Sequence, residues 1–219
     1  MLSYARQIAS WKQILARNGD VAALTHSMYR LPEPRQPFSQ SANALVCLWK
    51  GDITRLATPA IILGSNIGMI PRRGASRAIY HAAGHRLIKE CRHKRPAMIA
   101  KAVTTTAGDL PANALVHMPL PDLWSEAVTT SAYFSALNLA AHGRLSSVAF
   151  SSLKGCFHDE EVDDLARVAV RSLRRWADRE RDGKRLALDQ VVITTNDDLE
   201  YERMLYWMYA YFPSQNLSL

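Results

Sequence analysis

From residue 44 onward, short apolar runs rich in β-branched residues alternate with helical stretches of a dozen or more residues, and this alternation constrains the fold more than any single motif. Strands are expected at ALVCLWKGD (44–52), PAIILGS (59–65), AKAVTTTA (100–107), ALVHM (114–118), SSVAFSS (146–152) and QVVITT (190–195). Helices are expected from about Ser76 to Cys91, at SEAVTTSAYFSALNLAAHG (125–143), from about Asp159 to Asp182, and at DLEYERMLYWMYAY (198–211). Continuous apolar strands need cover on both faces, and helical connections supply it, so the class is α/β with a mainly parallel sheet between helices. Cap residues agree locally: Ser125 ahead of Glu126, Asp159 ahead of Glu160, and Gly143 after His142. Ligands in such sheets bind outside the carboxyl ends of the strands, which singles out the loops after Asp52, Ser65, Ser152 and Thr195.

Residues 1–30 are read as one helix or a broken one, with Tyr4, Ile8, Trp11 and Leu15 as its packing stripe. LPEPRQPFSQS (31–41) is a proline-rich connector that cannot continue a helix, so residues 1–43 are expected to form an extension and 44–219 the compact domain. No stretch reaches the roughly 20 consecutive apolar residues that a membrane span needs. Arg6, Lys12 and Arg17 interrupt any secretory core, and three cysteines give neither an even set nor a CxxC pair. An intracellular location follows as the expectation, cytoplasmic or nuclear in preference to mitochondrial. The absence of an acid before Asp20 resembles a transit peptide, but the apolar stripe reads as an ordinary amphipathic helix.

The net charge of +7 favours polyanionic partners such as nucleotides, nucleic acids or anionic membrane surfaces. Much of it lies in RLIKECRHKR (86–95) and in Arg167, Arg171, Arg174, Arg175, Arg179 and Arg181, the latter read as the solvated face of a helix. His81 and His85 have the spacing of a zinc pair, but Ala82 stands where a zinc protease carries its glutamate and no third ligand is evident, so no metal site is assigned. His117 reads as a satisfied core histidine. Cys156 has only His158 as a nearby base and reads as a loop residue that meets a ligand through its backbone.

Five ordered blocks, GDIT (51–54), AIILGSN (60–66), RAIYHAAG (77–84), AVTTTAGDLPANALVHMPLP (102–121) and SSVAFSSLKGCF (146–157), resemble the macrodomain family in order and spacing. The likeness covers roughly Ala44 to Phe212. LVCLWKGD (45–52), LARVAVRSLRRW (165–176) and YFPSQNL (211–217) make it most similar to the macrodomain of ganglioside-induced differentiation-associated proteins. The resemblance implies a three-layer α/β/α sandwich with a mixed, mainly parallel central sheet and a cleft for ADP-ribose at the strand ends.

Carried over position by position, the resemblance gives Asp52 as acceptor for the adenine amino group, Ile53 as a backbone contact to the base, and Asn66 as the distal-ribose asparagine. The earlier asparagine of that strand motif is Leu63 here. The family's glycine-rich diphosphate loop falls on Arg72, Arg73, Gly74, Ala75 and Ser76, where only Gly74 is kept. Glycine matters there because backbone N–H groups must approach the diphosphate without a Cβ between. The second phosphate loop falls on Lys154, Gly155, Cys156 and Phe157, one residue short, and the adenine-stacking aromatic is replaced by Asn196. Stacking is worth on the order of 1–3 kcal/mol per base, so its loss weakens binding roughly tenfold or more.

Family hydrolases position water with an aspartate where this chain has Ser76, which carries no charge near neutral pH. No catalytic residue and no cofactor is therefore assigned. The expected function is a non-catalytic binder of ADP-ribose or of an ADP-ribosylated protein. The alternatives are an ADP-ribosyl hydrolase with a different water-positioning group, or a module that binds poly(ADP-ribose) or RNA through Arg72, Arg73, Arg77, Lys89, Arg92, Lys94 and Arg95.

Overall fold

The computed structural model describes residues 2–17, 32–157, 161–182 and 188–215. Its strands are β1 (Ser3–Tyr4), β2 (Val46–Lys50), β3 (Leu56–Ala57), β4 (Ala60–Ser65), β5 (Val103–Thr106), β6 (Ala114–Pro119), β7 (Ser147–Phe150) and β8 (Gln190–Thr195). The α-helices are α1 (Trp11–Arg17), α2 (Gln40–Leu45), α3 (Gly74–Lys94), α4 (Glu126–His142), α5 (Val162–Asp182) and α6 (Asp198–Tyr211).

Six strands form the main sheet in the order β2-β8-β7-β4-β6-β5, parallel throughout except for β5, which runs antiparallel on β6. Register alternates the apolar side chains between two cores. Ile62, Val116, Phe150 and Ile193 face one side and pack with Leu137, Trp176 and Met208 of α4, α5 and α6. Ile61, Leu63, Leu115 and Val192 face the other and pack with Ile79 and Leu87 of α3. The result is the expected α/β sandwich, helices on both sides of a mixed, mainly parallel sheet.

Several local expectations shift. Ala44 and Leu45 are helical, because the Ser39 hydroxyl accepts from Ala42 N at 3.3 Å and caps α2; the strand starts only at Val46. The helix expected over 76–91 runs from Gly74 to Lys94 but is interrupted at Gly84, with φ +73 and ψ −163. The turn at Gly108 and Asp109 occupies that notch: Asp109 N donates to Ala83 O at 3.1 Å, and a Cβ on Gly84 would lie 2.8 Å from Asp109 Oδ2. His81 and His85 are exposed on either side of this break. Ser125 and Gly143 cap α4 as expected, whereas Asp159 lies outside the described residues.

The described part of residues 1–30 is not one helix. Ser3 and Tyr4 pair in parallel with Leu56 and Ala57, a 3-10 turn spans Ala5–Gln7, and only α1 is α-helical. Of the expected stripe, Tyr4 is exposed and Trp11 is fully buried, its Nε1 donating to Phe212 O at 2.7 Å and its ring against Tyr209. Arg35 N donates to Ala210 O at 2.7 Å, so the connector also rests on the end of α6.

The arginines of α5 are not a uniformly solvated face. Arg174 is 1% exposed and donates to Asp178, to Pro37 O and to Tyr211 O, joining α5 to the connector and to α6. Arg167 and Arg171 meet Glu126 of α4 at 2.8 and 2.6 Å. Arg175 and Arg179 are exposed, and the Arg181 side chain lies outside what is described.

His117 is the core histidine expected on β6: its Nε2 lies 2.9 Å from Thr105 Oγ1 and its Nδ1 lies 3.5 Å from the Tyr80 hydroxyl. Burial holds its pKa down at about 4, below the 6.5 of the unfolded chain. The unfolded state therefore takes the proton first, and stability falls as pH drops from about 6.5 towards 4, by about 2–3 kcal/mol near pH 4.5. His117→Gln lacks this component, so the urea-midpoint gap between wild type and variant should narrow between pH 7 and pH 4.5. A gap independent of pH contradicts the assignment.

Candidate functional site

The parallel strands deliver four loops to one edge of the sheet, after β2, β4, β7 and β8, and the loop after β6 joins them. Two cavities open among these loops. The smaller, about 250 Å³, is lined by Gly51, Asp52, Ile53, Gly74, Ala75, Ala78, Ser152, Thr194, Thr195 and Asn196. The larger, about 420 Å³, is lined by Asn66, Pro71, Arg72, Arg73, Arg77, Asp122, Gly155 and Phe157.

The wall between them is the meeting of the PRRG loop with the loop after β7. Gly74 has φ +57, and a Cβ there would lie 2.7 Å from Lys154 O. A Cβ on Gly155 would lie 3.0 Å from Arg73 Cβ. Both glycines allow the two backbones to touch. Arg72 fixes the contact. It donates to Cys156 O and, at 2.5 Å, to Asp122 Oδ1, with its side chain only 10% exposed. One guanidinium thus ties together the loops that precede α3, follow β7 and follow β6.

In the smaller cavity, Asp52 caps a 3-10 turn over Ile53–Arg55: its Oδ1 accepts from Thr54 N at 3.0 Å and Thr54 Oγ1 at 2.7 Å. The carboxylate remains solvent-facing, while Ile53 is buried beneath it. Glu200, 1% exposed, does not itself line the cavity but accepts from two residues that do, Ser152 Oγ at 2.7 Å and Thr195 Oγ1. Burial pushes the Glu200 pKa up, and the two hydroxyls pull it back. Lys154 Nζ meets Asp197 Oδ2 at 2.5 Å, which together with Glu200 N holds the Asp197 carboxyl below its ordinary range. Asp197 is also the N-cap of α6.

In the larger cavity, which Asn66 lines, Asn66 Oδ1 accepts from Ile70 N at 3.2 Å, so its amide nitrogen is the group left to donate. Phe157 stands edge-on to Trp124, centroids 5.0 Å apart. Ser76 is 2% exposed, and its Oγ accepts from Arg72 N at 3.2 Å. It braces the loop and lines neither cavity.

Of the residues singled out by sequence, Asp52, Ile53, Gly74, Ala75 and Asn196 line the smaller cavity, and Asn66, Arg72, Arg73, Gly155 and Phe157 the larger. Lys154, Cys156 and Ser76 line neither. Cys156 is buried with its thiol over Gly64, and its carbonyl is taken by Arg72. Sequence reasoning missed Asp122 and Glu200. The only signal for Asp122 was its place in PLPDLW at a strand end; Glu200 reads as an ordinary first-turn helix acid.

The sequence matches the Macro domain family over residues 51–169. The chain belongs to the macrodomain family. Relatives include mouse ADP-ribose glycohydrolase MACROD1, 28% identical over 84% of this chain, and mouse ganglioside-induced differentiation-associated protein 2, 26% identical over 94% of it. The chain spans 58% and 42% of the lengths of these two relatives. The fold superposes on the macrodomain of ganglioside-induced differentiation-associated protein 2 with a TM-score of 0.77 at 24% identity, covering 97% of each chain. It superposes on the Trypanosoma brucei macrodomain in complex with ADP-ribose with a TM-score of 0.68 at 23% identity, covering 85% of this chain and 82% of the other.

The loop contact makes a stability prediction. A side chain at Gly74 must adopt a left-handed backbone and displace Lys154 O, so Gly74→Ala should lower unfolding free energy by about 1–2 kcal/mol in urea titration. An unchanged midpoint contradicts the closeness of the two loops.

Proposed function

We propose that this macrodomain binds ADP-ribose, free or attached to protein, and does not hydrolyse it. The carrying observation is the pairing of two neighbouring cavities, one holding Asp52 and Ile53, the other Asn66 and Phe157, with the start of α3 between them. A ligand with a base at one end, a second sugar at the other and a diphosphate between them suits that sequence of chemistries. The exposed Asp52 carboxylate accepts from the adenine amino group, and the Asn66 amide donates to a distal ribose hydroxyl. Unpaired N–H groups at the start of α3, with Arg73 and Arg77, face the diphosphate. The names of the relatives support this ligand class: one is a glycohydrolase of ADP-ribose, another macrodomain was solved with ADP-ribose bound.

Seating a diphosphate between the cavities requires the Gly74–Lys154 and Arg73–Gly155 contacts to open. Arg72 is positioned to exchange its Cys156 carbonyl for a phosphate oxygen as they do. Ser76 supports the non-hydrolytic reading, because a buried hydroxyl engaged with Arg72 N neither carries charge nor reaches a cavity. One observation favours hydrolysis: Asp122, paired with Arg72, is a carboxylate in the lining of the larger cavity, which Asn66 also lines. The buried cysteines suit a reducing, intracellular setting.

Calorimetric titration with ADP-ribose should give saturable heat, and Asp52→Ala and Asn66→Ala should each weaken binding on the order of tenfold. No heat at millimolar ligand with folded protein contradicts the reading. An ADP-ribosylated acceptor should stay intact on incubation with the protein; release that is lost in Asp122→Asn would instead establish the hydrolytic reading. Binding that falls steeply with salt and with Arg72→Glu plus Arg73→Glu, without preference for ADP-ribose, would assign the cleft to poly(ADP-ribose) or RNA.

A further inference from the structure

Among the described residues eight large hydrophobic side chains are exposed, and five of them, Ile67, Ile70, Met98, Ile99 and Leu123, fall on three loops that are bound to one another. Ala97 N donates to Ile67 O and Ala100 N to Pro119 O, each at 2.8 Å, and Arg72 pairs with Asp122. The backbone carrying these side chains is therefore held, yet the side chains are 47–65% exposed. Scattered exposed apolar residues are ordinary; a group on linked loops marks an interaction surface.

This shelf adjoins the larger cavity through chain neighbours. Ile67 follows Asn66 and Leu123 follows Asp122, and both polar residues line that cavity. The segment bearing Met98 and Ile99 also carries exposed Arg92, Arg95 and Lys101. A free nucleotide has no apolar group to place on such a shelf and leaves the basic flank unused.

We propose that the shelf docks the polypeptide that carries the ADP-ribosyl group seated in the cavity. Resting on the function proposed above, this adds recognition of the carrier, a segment with an apolar side chain near the modified residue and acidic residues beside it. Attachment at the distal ribose directs the carrier out past Asn66 and Asp122 and across Ile67, Met98 and Leu123. The apolar side chain supplies the anchor and the basic flank selects the acidic neighbours. Because carrier and nucleotide are one molecule, the second contact forms at a high effective concentration.

The test titrates the full chain with free ADP-ribose, with a synthetic ADP-ribosylated peptide bearing a leucine and two glutamates near the modified residue, and with the same peptide unmodified. The modified peptide should bind about tenfold or more tightly than free ADP-ribose. Met98→Asp plus Leu123→Asp should abolish that advantage and leave free ADP-ribose binding within about twofold; Met98→Ser should reduce it in part. Both changes are at exposed positions, and an unchanged thermal melt verifies folding. Equal affinities for the two nucleotide probes in wild type, or an advantage that survives in the double variant, overturns the proposal. So does a wild-type dimer in sedimentation that the double variant dissolves, which would assign the shelf to a second copy. If free ADP-ribose itself fails to bind, the nucleotide reading fails and this inference with it; if it binds and the peptide gains nothing, only this inference fails.

Discussion

Both faces of the central sheet are buried, one against α3 and the other against α4, α5 and α6, and everything chemical about the molecule follows from that constraint. Side chains on β4, β7 and β8 point into one core or the other, so polar groups able to meet a ligand collect in the loops at the strand ends. Those loops must then be held in place. Arg72 does much of this by joining the loops before α3, after β7 and after β6 through Cys156 O and Asp122. Where glycines are expected from the family resemblance, this chain has a side chain that sutures the cleft from within.

The sheet was legible in the sequence because apolar runs buried on both faces leave a continuous signal, as in AIILGS and QVVITT. The helices were legible for the complementary reason, and Ser125 and Gly143 marked the limits of α4. What was not legible depends on partners distant in sequence. Residues 3 and 4 pair as a strand with Leu56 and Ala57, more than fifty residues away, and the break of α3 at Gly84 is filled by Asp109, twenty-five residues on. Arg174 looked like a solvated charge because its partners, Pro37 O and Tyr211 O, are 137 and 37 residues away in sequence.

The site divides in the same way. The family resemblance pointed to Asp52, Asn66, Phe157 and Asn196 as parts of one cleft; the structure sets Asp52 and Asn196 around one cavity and Asn66 and Phe157 around the other. Spacing could not show that Ser76 would turn inward to brace Arg72, or that Lys154 would be engaged by Asp197. Much of the positive charge near the cleft is locally compensated in this manner, Arg72 by Asp122 and Lys154 by Asp197, while Arg73 and Arg77 remain exposed at the start of α3. The net charge of the chain is therefore a poor guide to the potential inside the cleft.

Amide chemical-shift mapping with ADP-ribose tests this account most directly, since it reports position as well as binding. The account predicts that perturbations concentrate on Gly51 to Ile53, Asn66, Arg72 to Ala78, Lys154 to Phe157 and Thr195 to Asp197, with both cavities responding in one saturable process. Perturbations confined to the groove between α4 and α5, around Thr130, Asn138 and Arg179, or confined to one cavity at saturation, would contradict it.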